Sequence, residues 1–214
     1  QYVQGADILS FDIYPVTHTH KDVTGKLWMV PYGVERLRGW VNDQKPVWTC
    51  IECTKIDHPD KKPTPRQVRS MVWMSIIHGA KGIVYFCHSF KPTSDEDALL
   101  ADKEMSAAVA LINKEVSGLA AVINSPAVAE PVTVQSSAES IPVATMMKKR
   151  SGAAFVFAAA MRDGPTTATF RVPGVTGKKR VYVLGENRWL DSTDGVWRDE
   201  FTSYDVHLYR VLTP

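Results

Sequence analysis

The sequence has little net charge and no long hydrophobic run. Its formal net charge is only +2 over 214 residues, and no apolar run approaches the ~20 residues that a helix needs to cross a bilayer. No basic segment followed by an apolar one opens the chain. This leaves the cellular location open, because a mature secreted protein would look the same.

The basic residues form no dense stripe. Two short clusters, at 148–150 and 178–180, fall at strand or turn positions, where a solvated edge is a more common role than a nucleic-acid contact. We therefore expect neither a nucleic-acid partner nor a membrane partner.

Cysteine is also scarce, with three residues at positions 50, 53 and 87. The spacing Cys50-x-x-Cys53, with Cys87 followed by a histidine, raises the question of a metal site. On a β-strand, however, residues three apart point to opposite faces. A small, odd number of cysteines also argues against a disulfide framework. We expect buried, unpaired cysteines and no metal ion or other cofactor.

Residues 1–123 alternate between strand-like and helix-like patterns. Short apolar runs predict strands, and apolar residues at helical spacing predict helices. The predicted strands are 7–14, 46–52 and 82–88. The predicted helices are 32–43, 64–78 and 96–123. This alternation predicts an α/β domain with a parallel sheet and right-handed crossovers.

The first predicted strand has an apolar side and a polar side. The residues of its apolar side, which would pack against helices, are Leu9, Phe11 and Ile13. The residues of its polar side, which would face the axis of a barrel, are Ser10, Asp12 and Tyr14. The alternative, a surface strand of an antiparallel sheet, is disfavoured by the alternation that follows.

The second predicted strand ends in a carboxylate, Glu52, before a turn-rich loop. Trp48 and Cys50 should face the same way as Glu52. An acid at the carboxyl end of a parallel strand lies where a (β/α) barrel keeps its catalytic groups. The same residue could instead cap the next loop or pair with Lys55, and its position in the strand does not separate these roles.

The pattern changes near residue 124, after which no helix is predicted. Short alternating runs separated by turns that contain Gly, Pro or Asp, among them Asp194-Gly195, predict an all-β sandwich of about ninety residues. The predicted strands are 131–136, 141–149, 153–161, 166–172, 179–184 and 204–212. The expected domains are thus a partial (β/α) domain at 1–123 and a β-sandwich at 124–214.

Four segments together resemble the C-terminal part of a clan A glycoside hydrolase, in which a TIM barrel is often followed by a small β-sandwich. ADILSFDIYP (6–15), PVWTCIE (46–52) and WMSIIHGAKGIVYF (73–86) are similar to barrel strands six, seven and eight of β-galactosidase-like or cellulase-like enzymes. Residues 185–209 are similar to the last strands of the accessory sandwich.

The resemblance implies a retaining hydrolase of β-glycosidic bonds in oligo- or polysaccharides, with Glu52 as the nucleophile. Tyr14 would donate a hydrogen bond to Glu52, and Asp12 is the one other carboxylate at a predicted strand tip, hence a candidate acid. The remaining residues of the implied sugar subsite are His88, with Phe86 or Trp48 as an aromatic wall.

The resemblance covers only three of the eight βα units that close a TIM barrel. The strand that carries the acid/base glutamate of the clan is not in this sequence. The chain would then be part of a larger barrel, an oligomer that rebuilds one, or a non-catalytic carbohydrate-binding or structural module. An esterase is disfavoured, because the sequence contains no G-x-S-x-G elbow.

Overall fold

Residues 2–56 and 58–213 are described by a computed structural model. The chain divides into two compact units, of which the first ends at Lys114 and the second begins at Glu115. The division falls inside a long helix, whereas the sequence-based boundary follows the end of that helix.

The first unit contains a parallel sheet of three strands. They are β1 (Leu9–Asp12), β2 (Val47–Glu52) and β3 (Gly82–Phe86). The strand order is β1-β2-β3, and both pairings are parallel, as the alternation of the sequence predicts. Glu52 lies opposite Phe86, and Asp12 lies opposite Cys50. The strands therefore end at one side of the sheet, which we call the carboxyl edge.

Helix α1 connects β1 to β2. It spans Met29–Trp40, so it begins and ends three residues before the predicted range. Asn42 and Asp43 follow with positive φ angles of 48° and 57°. A right-handed helix cannot continue through that conformation, which explains the earlier end.

Helix α2 (Pro65–Ile77) connects β2 to β3 and agrees with the sequence-based prediction. Thr64 and Gln67 form a capping box, in which each side chain accepts a hydrogen bond from the backbone nitrogen of the other. The predicted stop is also present, because Gly79 has a φ of 93° that few other residues adopt.

The predicted helix 96–123 is interrupted at Asp102. It consists of α3 (Ala98–Ala101) and α4 (Lys103–Ile123), and a carboxylate oxygen of Asp102 accepts a hydrogen bond from the Met105 nitrogen at 3.1 Å. By length and composition alone, α4 is apolar enough to cross a membrane. Core helices share that property, but only 17% of the apolar window of α4 is buried, and Met105 and Ile112 lie on its buried side.

One face of the parallel sheet is open to solvent. On this face Trp48 and Val84 are 38% and 39% exposed, and Ser10 and Asp12 are exposed as well. Val47, on the opposite face, is buried in the apolar layer beneath the helices. In a closed barrel of eight strands the open face would line the interior; with three strands it remains uncovered.

After the end of α4, the described part of the second unit contains eight strands and no helix, as predicted for the residues after 123. They are β4 (Thr133–Ser136), β5 (Val143–Arg150), β6 (Ala153–Ala160), β7 (Thr166–Arg171), β8 (Lys178–Val183), β9 (Arg188–Thr193), β10 (Val196–Phe201) and β11 (Val206–Leu212). Sequence reasoning missed β9 and β10, although it identified the Asp194-Gly195 turn that joins them.

These strands form one nearly closed antiparallel sheet instead of the two sheets of the predicted sandwich. Their order is β4-β7-β10-β9-β8-β11-β6-β5, and the edge strands β4 and β5 contact each other. The ladder between β9 and β10 consists of one residue pair, Thr193 opposite Val196. We call this short ladder the seam. The buried apolar side chains of this sheet belong to a common core cluster.

A cluster of aromatic rings fills the core of the second unit. Phe170 stacks on Trp197 with ring centroids 5.2 Å apart, and Tyr209 lies 5.2 Å from Phe170. The Tyr209 hydroxyl donates to Asp199 at 2.8 Å, and Arg188 binds both carboxylate oxygens of Asp199, at 2.9 and 2.7 Å. The buried aspartate is thus matched by a cation and a phenol, as a buried charge requires.

Candidate active site at the carboxyl edge

Glu52, the predicted nucleophile, ends β2 at the carboxyl edge and is fully buried, with 0% of its surface exposed. One carboxylate oxygen accepts a hydrogen bond from the Val16 nitrogen at 2.6 Å. The other accepts from the nitrogen and the hydroxyl of Thr17, at 3.0 and 2.9 Å. Three donors favour the ionised form of a carboxylate. Glu52 therefore also anchors the loop after β1.

Tyr14 and Asp12 form a hydrogen-bonded pair at the end of β1. The Tyr14 hydroxyl donates to a carboxylate oxygen of Asp12 at 3.5 Å, rather than to Glu52 as the resemblance implies, because loop donors occupy the Glu52 oxygens. Burial, followed by the negative charge of Asp12, raises the pKa of Tyr14, and the charge of Glu52 adds to the effect. The phenol therefore stays protonated at neutral pH, within the electrostatic reach of both acids.

Four rings form a continuous strip along the carboxyl edge, which we call the aromatic strip. Tyr14 lies 5.1 Å from Phe86, Phe86 lies 6.0 Å from Phe90, and Phe90 stacks on His88 at 4.3 Å. The His88 ring is fixed by a 2.8 Å hydrogen bond between its Nε2 and the Ser94 hydroxyl. Aromatic faces of this kind offer apolar contact area beside polar groups, which suits a sugar ring.

Trp48 is not part of this constellation. It shares the open face with Glu52 but lies four residues earlier in β2, about 13 Å away at the usual rise of a strand. Its indole lies across Gly82, where a Cβ atom would come within 2.7 Å of three ring atoms. The structure therefore places Trp48 on the open face of the sheet and away from the carboxyl edge.

All three cysteines are free, as expected, but they are not all buried. Cys53 is buried, Cys50 is partly buried and Cys87 is exposed. Burial raises the pKa of Cys53 to about 12, so its thiol is neutral at physiological pH, and it lies 3.0 Å from the Phe86 carbonyl oxygen. Within 2–56 and 58–213, no three His, Cys, Asp or Glu side chains are grouped to hold a metal ion.

Sequence reasoning missed three residues of the site: Thr17, Phe90 and Ser94. The available signal for Phe90 was an aromatic residue in the otherwise polar loop after the third strand. In the structure 47% of its surface is exposed. The contact between Thr17 and Glu52 joins residues 35 positions apart, and no local sequence pattern predicts it.

Comparison with known proteins gives a likeness in fold. No protein-family model matches the chain, and no curated protein matches its sequence. An α-amylase from Geobacillus thermoleovorans, solved with acarbose, superposes with a TM-score of 0.55 at 11% identity, over 86% of this chain and 46% of that chain. A Bacillus halodurans protein, provisionally described as an α-N-acetylgalactosaminidase, superposes at 0.56 and 15% identity, over 87% and 43%.

A third solved structure agrees with these two. A Bacteroides fragilis protein, provisionally described as an α-galactosidase, superposes with a TM-score of 0.52 at 10% identity, over 98% of this chain and 43% of that chain. At such identities the likeness shows the fold alone. The chain spans less than half the length of each of these structures.

Proposed function

We propose that the chain contributes to a glycoside hydrolase that cleaves β-glycosidic bonds in oligo- or polysaccharides with retention of configuration, and that Glu52 is its nucleophile. The observation that carries the proposal is the position of Glu52. It ends the central strand of a parallel sheet, at the edge where barrels of this kind hold their catalytic groups, and Tyr14, Asp12 and Phe86 lie at the same edge.

The chemistry needs an ionised carboxylate at the anomeric carbon. The hydrogen bonds from Val16 and Thr17 stabilise the charged form of a carboxylate, but they also cover Glu52. Attack therefore requires Thr17 to move away when the sugar enters. Glu52 would then form a glycosyl–enzyme ester as the leaving oxygen takes a proton, and water would hydrolyse that ester.

Asp12 is the candidate acid/base within this chain. It is exposed on the open face, and the Tyr14 hydroxyl donates to it. A retaining enzyme needs its acid about 5 Å from the nucleophile, across the scissile bond. If a further strand supplies that acid instead, Asp12 and Tyr14 would bind the hydroxyl groups of the sugar next to it.

We also propose that the working enzyme contains more strands than the three present here. The matched structures are more than twice as long as the part that this chain covers, and the open face with Trp48 and Val84 would be covered by further βα units. These units could come from an N-terminal half that the present sequence lacks or from copies of this chain.

The test is a paired assay on each size fraction of the purified chain. Aryl β-glycosides and the matching α-glycosides are compared for wild type, Glu52→Gln and Thr17→Val. We expect release from β-glycosides only, loss of turnover in Glu52→Gln, and retained turnover in Thr17→Val, which keeps the carboxylate. Unchanged turnover in Glu52→Gln would remove Glu52 from the mechanism, and release from α-glycosides would overturn the linkage.

The complete burial of Glu52 favours a second candidate, a carbohydrate-binding module without hydrolytic activity. In that case Glu52 is a structural anchor of the loop after β1, and the aromatic strip alone meets the sugar. Wild type would then show no turnover in any fraction. Phe90→Ala would weaken saccharide binding measured by calorimetry, while Glu52→Gln would lower the melting temperature and leave binding unchanged.

A further inference from the structure

A cavity of about 460 Å³ lies between the loops that follow β2 and β3. We call it the lysine basin, because three lysines, Lys55, Lys62 and Lys91, line it together with Asp95 and Asp102. It borders the aromatic strip, since Ser89 and the Thr54 hydroxyl that binds the His88 carbonyl at 2.6 Å both line it.

The floor of the basin is held by hydrogen bonds between the two loops. The Ser89 hydroxyl lies 2.8 Å from the Lys55 carbonyl and 2.9 Å from the Lys91 carbonyl, and the Phe90 nitrogen donates to the Lys55 carbonyl at 3.3 Å. Ser89 and Asp95 also exchange two backbone hydrogen bonds, at 2.9 and 2.8 Å. The backbones that carry Lys55 and Lys91 are therefore held next to each other through Ser89.

The two carboxylates of the basin already have partners. Asp102 pairs with the Lys62 ammonium and caps α4 through Met105, and the hydrogen bond from Lys62 lowers the pKa of Asp102. One oxygen of Asp95 accepts a hydrogen bond from the Asp97 nitrogen at 2.9 Å.

Lys55 and Lys91 are not paired in this way. Across residues 2–56 and 58–213, neither ammonium takes part in an ion pair with a carboxylate. Lys55 and Lys91 thus lack an ion-pair partner among the described residues, and the three lysines and two aspartates give the basin a formal net charge of +1 beside a row of aromatic rings.

We propose that the lysine basin binds the negatively charged group of an acidic saccharide, a carboxylate or a sulfate ester, while the aromatic strip holds the neighbouring sugar ring. This inference rests on the proposed carbohydrate substrate and specifies its class. Lys55 and Lys91 act as specificity-determining residues. The ammonium group of each donates a hydrogen bond to the anion, and neither residue takes part in bond cleavage.

Calorimetry with matched ligands tests the proposal. A tetrasaccharide of β-linked glucuronate is compared with its methyl ester, which keeps every sugar and linkage but removes the charge. A third ligand is a tetrasaccharide of uncharged sugars that carries sulfate esters. The proteins are wild type, Lys55→Gln, Lys91→Gln and, as the control, Lys81→Gln. Lys81 is exposed and precedes β3, at the opposite end of the strand from the basin.

We expect wild type to bind the free acid at least about tenfold more tightly than the ester, as one charge-assisted hydrogen bond allows. Lys55→Gln and Lys91→Gln should each lose most of this difference, and Lys81→Gln should keep it. Preference for the sulfated ligand over the free acid would identify the anion as a sulfate ester.

Two outcomes would overturn the inference. Equal affinity of wild type for the acid and the ester would show that the basin does not distinguish a charged from an uncharged saccharide. The proposed function could still stand in that case. An acid preference that survives in Lys55→Gln and Lys91→Gln would place the anion elsewhere. The proposed function is decided separately, by the neutral aryl glycosides and Glu52→Gln.

Discussion

Thr17 donates two hydrogen bonds to Glu52, one from its backbone nitrogen and one from its hydroxyl. Replacing it with valine keeps the shape and removes the hydroxyl. Because the acceptor is a buried carboxylate, we expect Thr17→Val to lower the free energy of unfolding by about 1–3 kcal/mol. Denaturant unfolding measures this. Thr133→Val, at an exposed position of β4, is the control and should change stability by less than about 0.5 kcal/mol; equal effects of the two substitutions would contradict the prediction.

Cys53 and Tyr85 make the stability of the first unit sensitive to alkaline pH. Burial raises the pKa of each to about 12, whereas in an unfolded chain a thiol ionises near pH ~8.5 and a phenol near ~10. The folded chain therefore binds more protons than the unfolded chain above pH ~8.5. The free energy of unfolding should fall as pH rises from there towards 12.

Denaturant unfolding at pH 8 and pH 10 measures this loss of stability. Cys53→Ser keeps a donor near the Phe86 carbonyl but removes the ionisation of the thiol. It should lose less stability than wild type between the two pH values. An identical loss would show that Cys53 is not responsible.

At the scale of elements, two glycines with similar φ angles have different surroundings. Gly195, in the turn between β9 and β10, has a φ of 73°, and Gly174 has a φ of 76°. A Cβ atom at Gly195 would overlap the Val172 carbonyl oxygen, whereas one at Gly174 would meet nothing within 4 Å.

Gly174→Ala should therefore cost about 1–2 kcal/mol, the cost of a left-handed conformation in an L-residue. Gly195→Ala should cost clearly more, because it adds a steric overlap with the backbone. Thermal and denaturant unfolding of the two variants compare these costs. Similar destabilisation would mean that the turn relaxes and that the φ angle alone matters.

Local signals predicted some elements and failed for others for identifiable reasons. Thr64 and Pro65 lie at the start of α2 and Gly79 follows its end, and the sequence therefore predicted α2 closely. The break at Asp102 was missed because apolar residues keep their helical spacing after it. Strand β10 was missed because Asp199 occupies a core-facing position between Trp197 and Phe201, and its partner Arg188 lies on another strand.

The candidate site also has a part that the sequence predicted and a part that it did not. Positions at strand ends follow from the sequence, so Glu52, Asp12 and Phe86 were placed at the same edge. The hydrogen bonds from Val16 and Thr17 that cover Glu52, and the stacking of His88 on Phe90, depend on loop conformation. That conformation is set by contacts between residues distant in the sequence, which a reading of single segments does not contain.

At the scale of the whole molecule, the open face of the parallel sheet predicts association. Trp48 and Val84 expose apolar surface next to unpaired strand edges, and such surfaces tend to pair with other chains. We expect light scattering to give a mass above that of one chain at micromolar concentration.

Trp48→Ser combined with Val84→Ser should lower this mass. Trp189→Ser, at an exposed residue of β9 in the second unit, should not. A single-chain mass for wild type at all concentrations would contradict the prediction.

The seam between β9 and β10 has a consequence for motion. The neighbouring ladders are long, with six residue pairs joining β8 to β9 and six joining β7 to β10, but one pair crosses the seam. A sheet parts first where the fewest hydrogen bonds must break together. The sheet should therefore open locally between β9 and β10 while the Asp194-Gly195 turn stays connected. Amide hydrogens along the seam should then exchange with deuterium before those of the other ladders.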